Sequence, residues 1–179
     1  MGSPTAAFAF LIETLIHLYL VVLMLRLLLE AIRADFYNPI CQVLIKATDP
    51  VVRPLGKLLP QVGRINTAGL LALYLIQLAS LFILALLGGL PFDPILLAVL
   101  AVLRLVRLLL VLYLVLILAG VILSWVGQNF RHPIVPLIFQ LTDPVLAPIR
   151  RILPPLGGFD LSPLVAIIGI QFLIILLGV

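Results

Sequence analysis

The chain has 179 residues, enough for one domain, but 64% are hydrophobic and only 10% are charged, against roughly 25% charged in a soluble domain. That composition excludes a water-soluble fold. Eleven Lys and Arg against seven Asp and Glu leave a net charge of +4. Eight of the basic residues are spread over two loops, so anionic lipid headgroups explain them better than nucleic acid. The single cysteine, Cys41, excludes an intrachain disulfide and a Cys-rich metal site.

The first apolar run extends from Ala6 to about Leu29 and carries Glu13, His17 and Arg26. No Lys or Arg precedes it and no small-residue cleavage site follows, so it is expected to be a retained helix. Uncharged runs of 28 residues between Arg64 and Asp93, 23 between Arg107 and Arg131, and 19 after Asp160 follow. Each is long enough to cross about 30 Å of hydrocarbon, for which about 20 residues suffice. Four transmembrane helices are therefore expected. Ser3-Pro4, Asp93-Pro94 and Ser162-Pro163 place a capping side chain before a proline at a helix start. Residues 94–127 are too long for one perpendicular span, and Arg104 and Arg107 interrupt them. An interfacial or tilted beginning is expected there, with the crossing starting near Arg107.

Sliding the chain by 94 residues aligns Phe36–Pro60 with Phe130–Pro154 without a gap, with ten identities in 25 positions. Among them are Pro39/Pro133, Thr48/Thr142, Asp49/Asp143, Pro50/Pro144 and Pro54/Pro148. The register also pairs Tyr19 with Tyr113 and Gln77 with Gln171. The chain thus reads as two tandem repeats, 1–88 and 89–179, each a span, a proline-punctuated loop (33–65 or 127–160) and a second span. Two spans separate equivalent points, so both loops emerge on one side and the repeats are parallel. Their basic residues place both loops in the cytoplasm and both termini outside.

Asn38-Pro39 and Thr48-Asp49-Pro50 are cap-then-proline patterns, so each loop is expected to hold two short helices, about 39–47 and 50–59 in the first repeat. Val51, Val52, Leu55, Leu58 and Leu59 form one apolar stripe, with Arg53 and Lys57 elsewhere on the wheel. Val145, Leu146, Ile149, Ile152 and Leu153 repeat it beside Arg150 and Arg151. Such helices are expected to lie in the interface and reach phosphates. Pro54 and Pro148 each remove a helical hydrogen bond, which favours a shallow hairpin over deep re-entry. Capping is preferred for Asp49 and Asp143 over ligation of an ion or of a partner's amides.

Arg26 and Glu30 form an i, i+4 pair expected to snorkel near the headgroups. Glu13 and His17 share a face deeper in the helix, where a charge costs about 2.5–3.5 kcal/mol. The 94-residue shift carries Glu13 onto Arg107, so these two are expected to approach each other. A proton or cation relay through Glu13 and His17 ranks below that structural pairing. No P-loop, GxGxxG, HExxH, CxxC or GxSxG motif is present. No catalytic set, cofactor or metal site is expected.

Phe36-Tyr37-Asn38-Pro39-Ile40, then Thr48-Asp49-Pro50 and Arg53-Pro54, echoed by Phe130 to Pro148, resembles the YggT family of bacterial membrane proteins, related to Ycf-type plastid proteins. The second repeat departs from the pattern with Arg131-His132 for Tyr37-Asn38 and Gly120 for Arg26. The resemblance implies an integral inner-membrane protein without assigned enzymatic activity. It links bacterial relatives to osmotic tolerance and division, and plastid relatives to cytochrome haem maturation and nucleoid organisation. The expectation is an all-α, non-enzymatic membrane scaffold or assembly factor. It would present two amphipathic hairpins to anionic lipid and to a membrane or cytoplasmic protein, in some cases as a homo-oligomer. The alternative is a small oligomeric transporter or channel, resting on Glu13, His17, Gln77, Gln171 and Arg107.

Overall fold

The computed structural model describes residues 4–59, 66–87, 91–126, 132–153 and 160–178. The expectations about Ser3, Pro60, Arg64, Arg131 and Pro154 lie outside them. All the regular structure among the described residues is helical: α1 (Pro4–Ala31), α2 (Pro39–Gly56), α3 (Thr67–Leu86), α4 (Pro94–Val126), α5 (Ile134–Ile152) and α6 (Ser162–Leu177). Three of them, α1, α3 and α4, are long and apolar enough to cross a membrane. The fourth expected span, α6, has 16 residues, about 24 Å at roughly 1.5 Å per residue, short of the hydrocarbon thickness.

The packing order is α1 on α3, α3 on α4 and α4 on α6. Helix α2 lies against α1 and α3, and α5 lies against α4 and α6. Lipid tails are as apolar as leucine, so such a bundle depends on close packing rather than on a difference in hydrophobicity. Helix α3 meets this need with Ala68, Gly69, Ala72 and Ala85 on its buried side. A Cβ at Gly69 would collide with the Leu27 side chain of α1. The opposite sides expose Phe8, Phe82, Ile122 and Phe172, as suits a surface facing lipid.

Capping follows the sequence in two places and departs from it in a third. Asn38 Oδ1 accepts from the Ile40 amide at 2.9 Å, with Pro39 opening α2. Asp93 Oδ1 accepts from the Ile95 amide at 2.9 Å. At α6 the acceptor is Asp160 rather than Ser162, whose own amide donates to Asp160 Oδ1 at 2.9 Å. Helix α1 closes with Arg33 in the left-handed region (φ 56°). The Ala34 amide donates back to Leu29 at 2.9 Å and the Arg33 amide to Glu30 at 3.1 Å, a Schellman closure that usually takes glycine.

The structure corrects one sequence expectation and adds packing detail to two others. Each loop holds one continuous helix rather than two, and Pro50, Pro54, Pro144 and Pro148 lie inside α2 and α5. Thr48 and Thr142 sit mid-helix and bond back to Leu44 at 2.6 Å and Ile138 at 3.0 Å. The apolar stripes pack on the bundle along much of their length: Val52 and Leu146 are buried, with Val51, Leu55, Val145 and Ile149 packed beside them. Leu58 and Ile152, on the same stripes, are 79% exposed. Finally, α4 is a single helix, and its first turns are part of the bundle, with Leu97 and Ala101 packed on Leu81 and Ala85 of α3. Arg104 and Arg107 are therefore inside a helix that is packed along its length.

Candidate functional site

Two polar constellations are built on these helices. The first ties α1, α2 and α3 together. Arg26 of α1 exposes 8% of its surface. Its Nε donates to Glu30 Oε1 at 2.8 Å, and its Nη1 donates to Thr48 Oγ1 at 2.8 Å and Asp49 Oδ1 at 2.9 Å. Asp49 Oδ2 takes Arg53 Nε at 2.8 Å. Glu30 Oε2 accepts from Asn66 Nδ2 at 2.8 Å, and Asn66 Oδ1 caps α3 through the Gly69 amide at 2.9 Å. Two guanidinium groups thus balance two carboxylates, and all four carboxylate oxygens have a partner, which is what keeps buried charge affordable.

The Arg26–Glu30 pair forms as the spacing implies, but Arg26 does not snorkel, because α2 closes over it and supplies two more acceptors. Asp49 is not a cap, because its helix runs through it and leaves no free turn to satisfy. The sequence pairs Arg26 only with Glu30. That α2 folds back onto α1 is a tertiary fact with no local signature.

Around α5 the same problem is solved differently, with Gly120 lying 94 residues after Arg26. The guanidinium there comes from α5 itself. Arg150 donates to Asp143 Oδ1 at 3.2 Å and to Asp160 Oδ2 at 2.8 Å. These side chains are 42–64% exposed, so this cluster is wetter than the first. Burial alone would raise the Asp160 pKa. Hydrogen bonding from Ser162, whose amide donates to Asp160 Oδ1, and from Arg150, together with the Arg150 charge, outweighs that and holds it below the ordinary carboxylate range. Arg151 is exposed in the last turn of α5. Asn38 Nδ2 donates to the Pro133 carbonyl at 2.8 Å, so the starts of α2 and α5 meet.

The second constellation is a cavity of about 610 Å³ between α1, α3 and α4. It is lined by Glu13, His17, Gln77, Ser80, Arg104 and Arg107, with apolar wall from Leu20 and Val111 among others. Arg104 Nη1 donates to Glu13 Oε1 at 2.9 Å. Arg104 lies one helical turn before Arg107, which lines the same cavity as Glu13. Gln77 exposes 5% of its surface and Ser80 3%. At roughly 1.5 Å per residue, Glu13 lies about 14 Å along α1 from Pro4, Gln77 about 14 Å from the end of α3, and Arg104 about 15 Å from the start of α4. Glu13, Gln77 and Arg104 line one space, so these polar groups share one level of the bundle.

Four of the five polar residues set out for a transporter, Glu13, His17, Gln77 and Arg107, line this one space, and two of the positions matched by the 94-residue shift, Glu13/Arg107 and His17/Val111, face it together. Gln171 is exposed on α6 and is not part of the lining. Arg104 and Ser80 were missed as members. Their signal was present, since each lies three residues from a residue already singled out, on the same helical face.

The CCB3/YggT family model matches the chain twice, over residues 5–87 and 99–179. An uncharacterized protein in the proC 3' region of Vibrio alginolyticus is 44% identical over 173 residues, covering 95% of this chain and 92% of that protein. The uncharacterized protein YggT of Escherichia coli K12 is 39% identical over 159 residues, covering 89% and 82%. The uncharacterized protein ycf19 of Guillardia theta is 38% identical over 66 residues, covering 34% of this chain and 67% of that protein. No solved structure matches.

Proposed function

The chain belongs to the CCB3/YggT family, and from that membership and the geometry above we propose that it is a non-enzymatic inner-membrane protein that binds and passes a small polar solute through the cavity between α1, α3 and α4. The observation that carries this reading is the lining itself. An ion pair, a histidine, an amide, a hydroxyl and a second arginine converge about 9–20 Å from the helix ends at roughly 1.5 Å per residue, around half the roughly 30 Å of hydrocarbon. Polar residues at that depth are expensive and mark solute or proton pathways. In this reading α6 is a fourth, short span, the two family matches reflect parallel repeats, the loops 33–65 and 127–160 are cytoplasmic, and both termini lie outside. Passage of solutes is compatible with the osmotic role that the resemblance implies.

The test is uptake into proteoliposomes holding the purified chain. Glu13→Gln, which releases Arg104, is expected to reduce uptake at least tenfold while the protein stays monodisperse. Unchanged uptake by that variant, or none by the wild type across charged and neutral solutes, refutes the reading.

A second reading, a scaffold that docks a cytoplasmic partner on α2 and α5, is favoured by the outward basic side chains. Arg53 is 77% exposed, and Lys46, Lys57 and Arg151 are exposed as well. The junction of Asn38 with Pro133 sets the two helices side by side at their starts. Changing Arg53, Lys57, Arg150 and Arg151 to Gln would then weaken co-purification of that partner.

A further inference from the structure

The polar grip that α2 closes on Arg26 is built again on α5, but around a space. We propose that this space binds a small water-soluble guanidinium compound with a short apolar stem, at a site separate from the cavity of α1, α3 and α4. Under the 94-residue shift Arg26, Thr48 and Asp49 fall on Gly120, Thr142 and Asp143. Helix α4 lies against α5 and α1 against α2, and Gly120 and Thr142 both line a cavity of about 530 Å³ between α4, α5 and α6. Asp143 faces an adjoining space of about 710 Å³, and Phe139, Thr142 and Arg150 line both. A Cβ at position 120 would meet Ile138 at 3.7 Å and Phe139 at 3.9 Å, which is ordinary contact, so a side chain has room where the glycine leaves none.

The lining decides the chemistry of the ligand. Thr142 is 2% exposed and donates its one hydroxyl proton to the Ile138 carbonyl at 3.0 Å, as Thr48 donates its own to Leu44 at 2.6 Å. Each hydroxyl then presents only lone pairs to a further partner. Thr48 offers them to Arg26 Nη1 at 2.8 Å, and the same nitrogen reaches Asp49 Oδ1 at 2.9 Å. Thr142 carries the same lone pairs at the wall of the cavity. Asp143 and Asp160 add carboxylate acceptors, both already touched by Arg150. That contact does not close the site, because Asp49 holds two guanidinium groups at once, Arg26 on Oδ1 and Arg53 on Oδ2. Phe139 and Trp125 supply aromatic surface for a weakly hydrated planar cation, and Leu146, Leu164 and Ile167 an apolar bed for its stem. Gly120 lies six residues before the end of α4 at Val126, about 9 Å at roughly 1.5 Å per residue, so a soluble ligand enters from the nearby end of the bundle.

The experiment is equilibrium binding to the full chain in phosphatidylcholine nanodiscs. Radiolabelled butylguanidinium is the probe, with unlabelled butylguanidinium, butylammonium and butyrate as competitors. Saturable binding is expected, with butylammonium competing at least tenfold more weakly than butylguanidinium and butyrate not competing. Gly120→Arg, which supplies the guanidinium from within the chain, is expected to abolish binding and to raise the melting temperature of the unliganded protein. Thr142→Val, which keeps the shape and removes the hydroxyl, is expected to weaken binding at least tenfold and covers the case in which the arginine variant fails to fold. The distant, exposed Lys46→Gln leaves binding unchanged. Absence of saturable binding, or binding that survives both Gly120→Arg and Thr142→Val, refutes the inference. Competition by butylammonium as strong as by butylguanidinium overturns the choice of a guanidinium. Displacement of the probe by phosphatidylethanolamine built into the discs makes a lipid ammonium the occupant and overturns a soluble ligand. Loss of binding in Glu13→Gln with Thr142→Val unaffected moves the cation to the cavity of α1, α3 and α4, which overturns this site and leaves the solute-binding reading standing.

Discussion

Arg26 and Arg150 each hold an aspartate that precedes a proline, but one does so from a span and the other from within the loop helix. The difference in burial decides their energetic weight. Removing one partner from a buried, hydrogen-bonded charge cluster costs about 3–5 kcal/mol, whereas an exposed pair contributes about 0–1 kcal/mol. Arg26→Gln is accordingly expected to destabilise the protein by about 3–5 kcal/mol and Arg150→Gln by under about 1 kcal/mol, read from unfolding titrations in mixed detergent micelles. Equal losses would show that Arg26 is solvated in the membrane protein. Cys41 gives a second residue-scale test. It is 1% exposed, and burial, aided by the Asp35 charge, pushes its thiol pKa up. Little thiolate then exists at neutral pH, so maleimide labelling is expected to be slow in the folded protein and rapid after denaturation. Fast labelling of the folded chain would contradict the packing of α2 on α1.

At the scale of elements, α1 and α3 approach closely because position 69 has no side chain. Gly69→Leu would have to displace Leu27 from a buried site, and overpacking of that kind costs about 1–3 kcal/mol. A similar or larger loss is expected for Gly69→Leu. Gly169→Leu, where a Cβ meets nothing within 4 Å, is expected to be nearly silent. Comparable melting temperatures for the two variants would mean that α1 and α3 do not meet at Gly69. The loop helices teach a related lesson. Pro50 and Pro144 look like helix starts locally, but α2 and α5 continue through them, because an apolar stripe laid against two spans outweighs about 3 kcal/mol for each interior proline.

For the whole molecule, the contact between Asn38 and Pro133 requires the starts of α2 and α5 to lie at one end of the bundle. Single cysteines replacing Lys46 and Gln140, in a Cys41→Ala background, are therefore expected to react with a membrane-impermeant maleimide from one and the same side of the membrane. Labelling of one from outside and the other from inside would break the shared end. Much of this arrangement was legible in the sequence. The apolar runs marked the helices, Asn38 and Asp93 marked two of their starts, and the 94-residue shift led to the cavity shared by Glu13 and Arg107.

Periodicity, capping and internal duplication are local or self-referential properties, and the chain alone determined what depends on them: an all-helical membrane protein with spans interrupted by proline-rich helices. Partnership across helices was decided only by the tertiary structure. Arg104 bridges to Glu13 in the space that Arg107 also lines, Asp49 serves Arg26 instead of a helix end, and the apolar stripes turn largely to the bundle. The physical reason is that an ion pair is set by side-chain reach and helix rotation within a few ångströms, and a one-turn difference along a helix lies below the resolution of any sequence pattern.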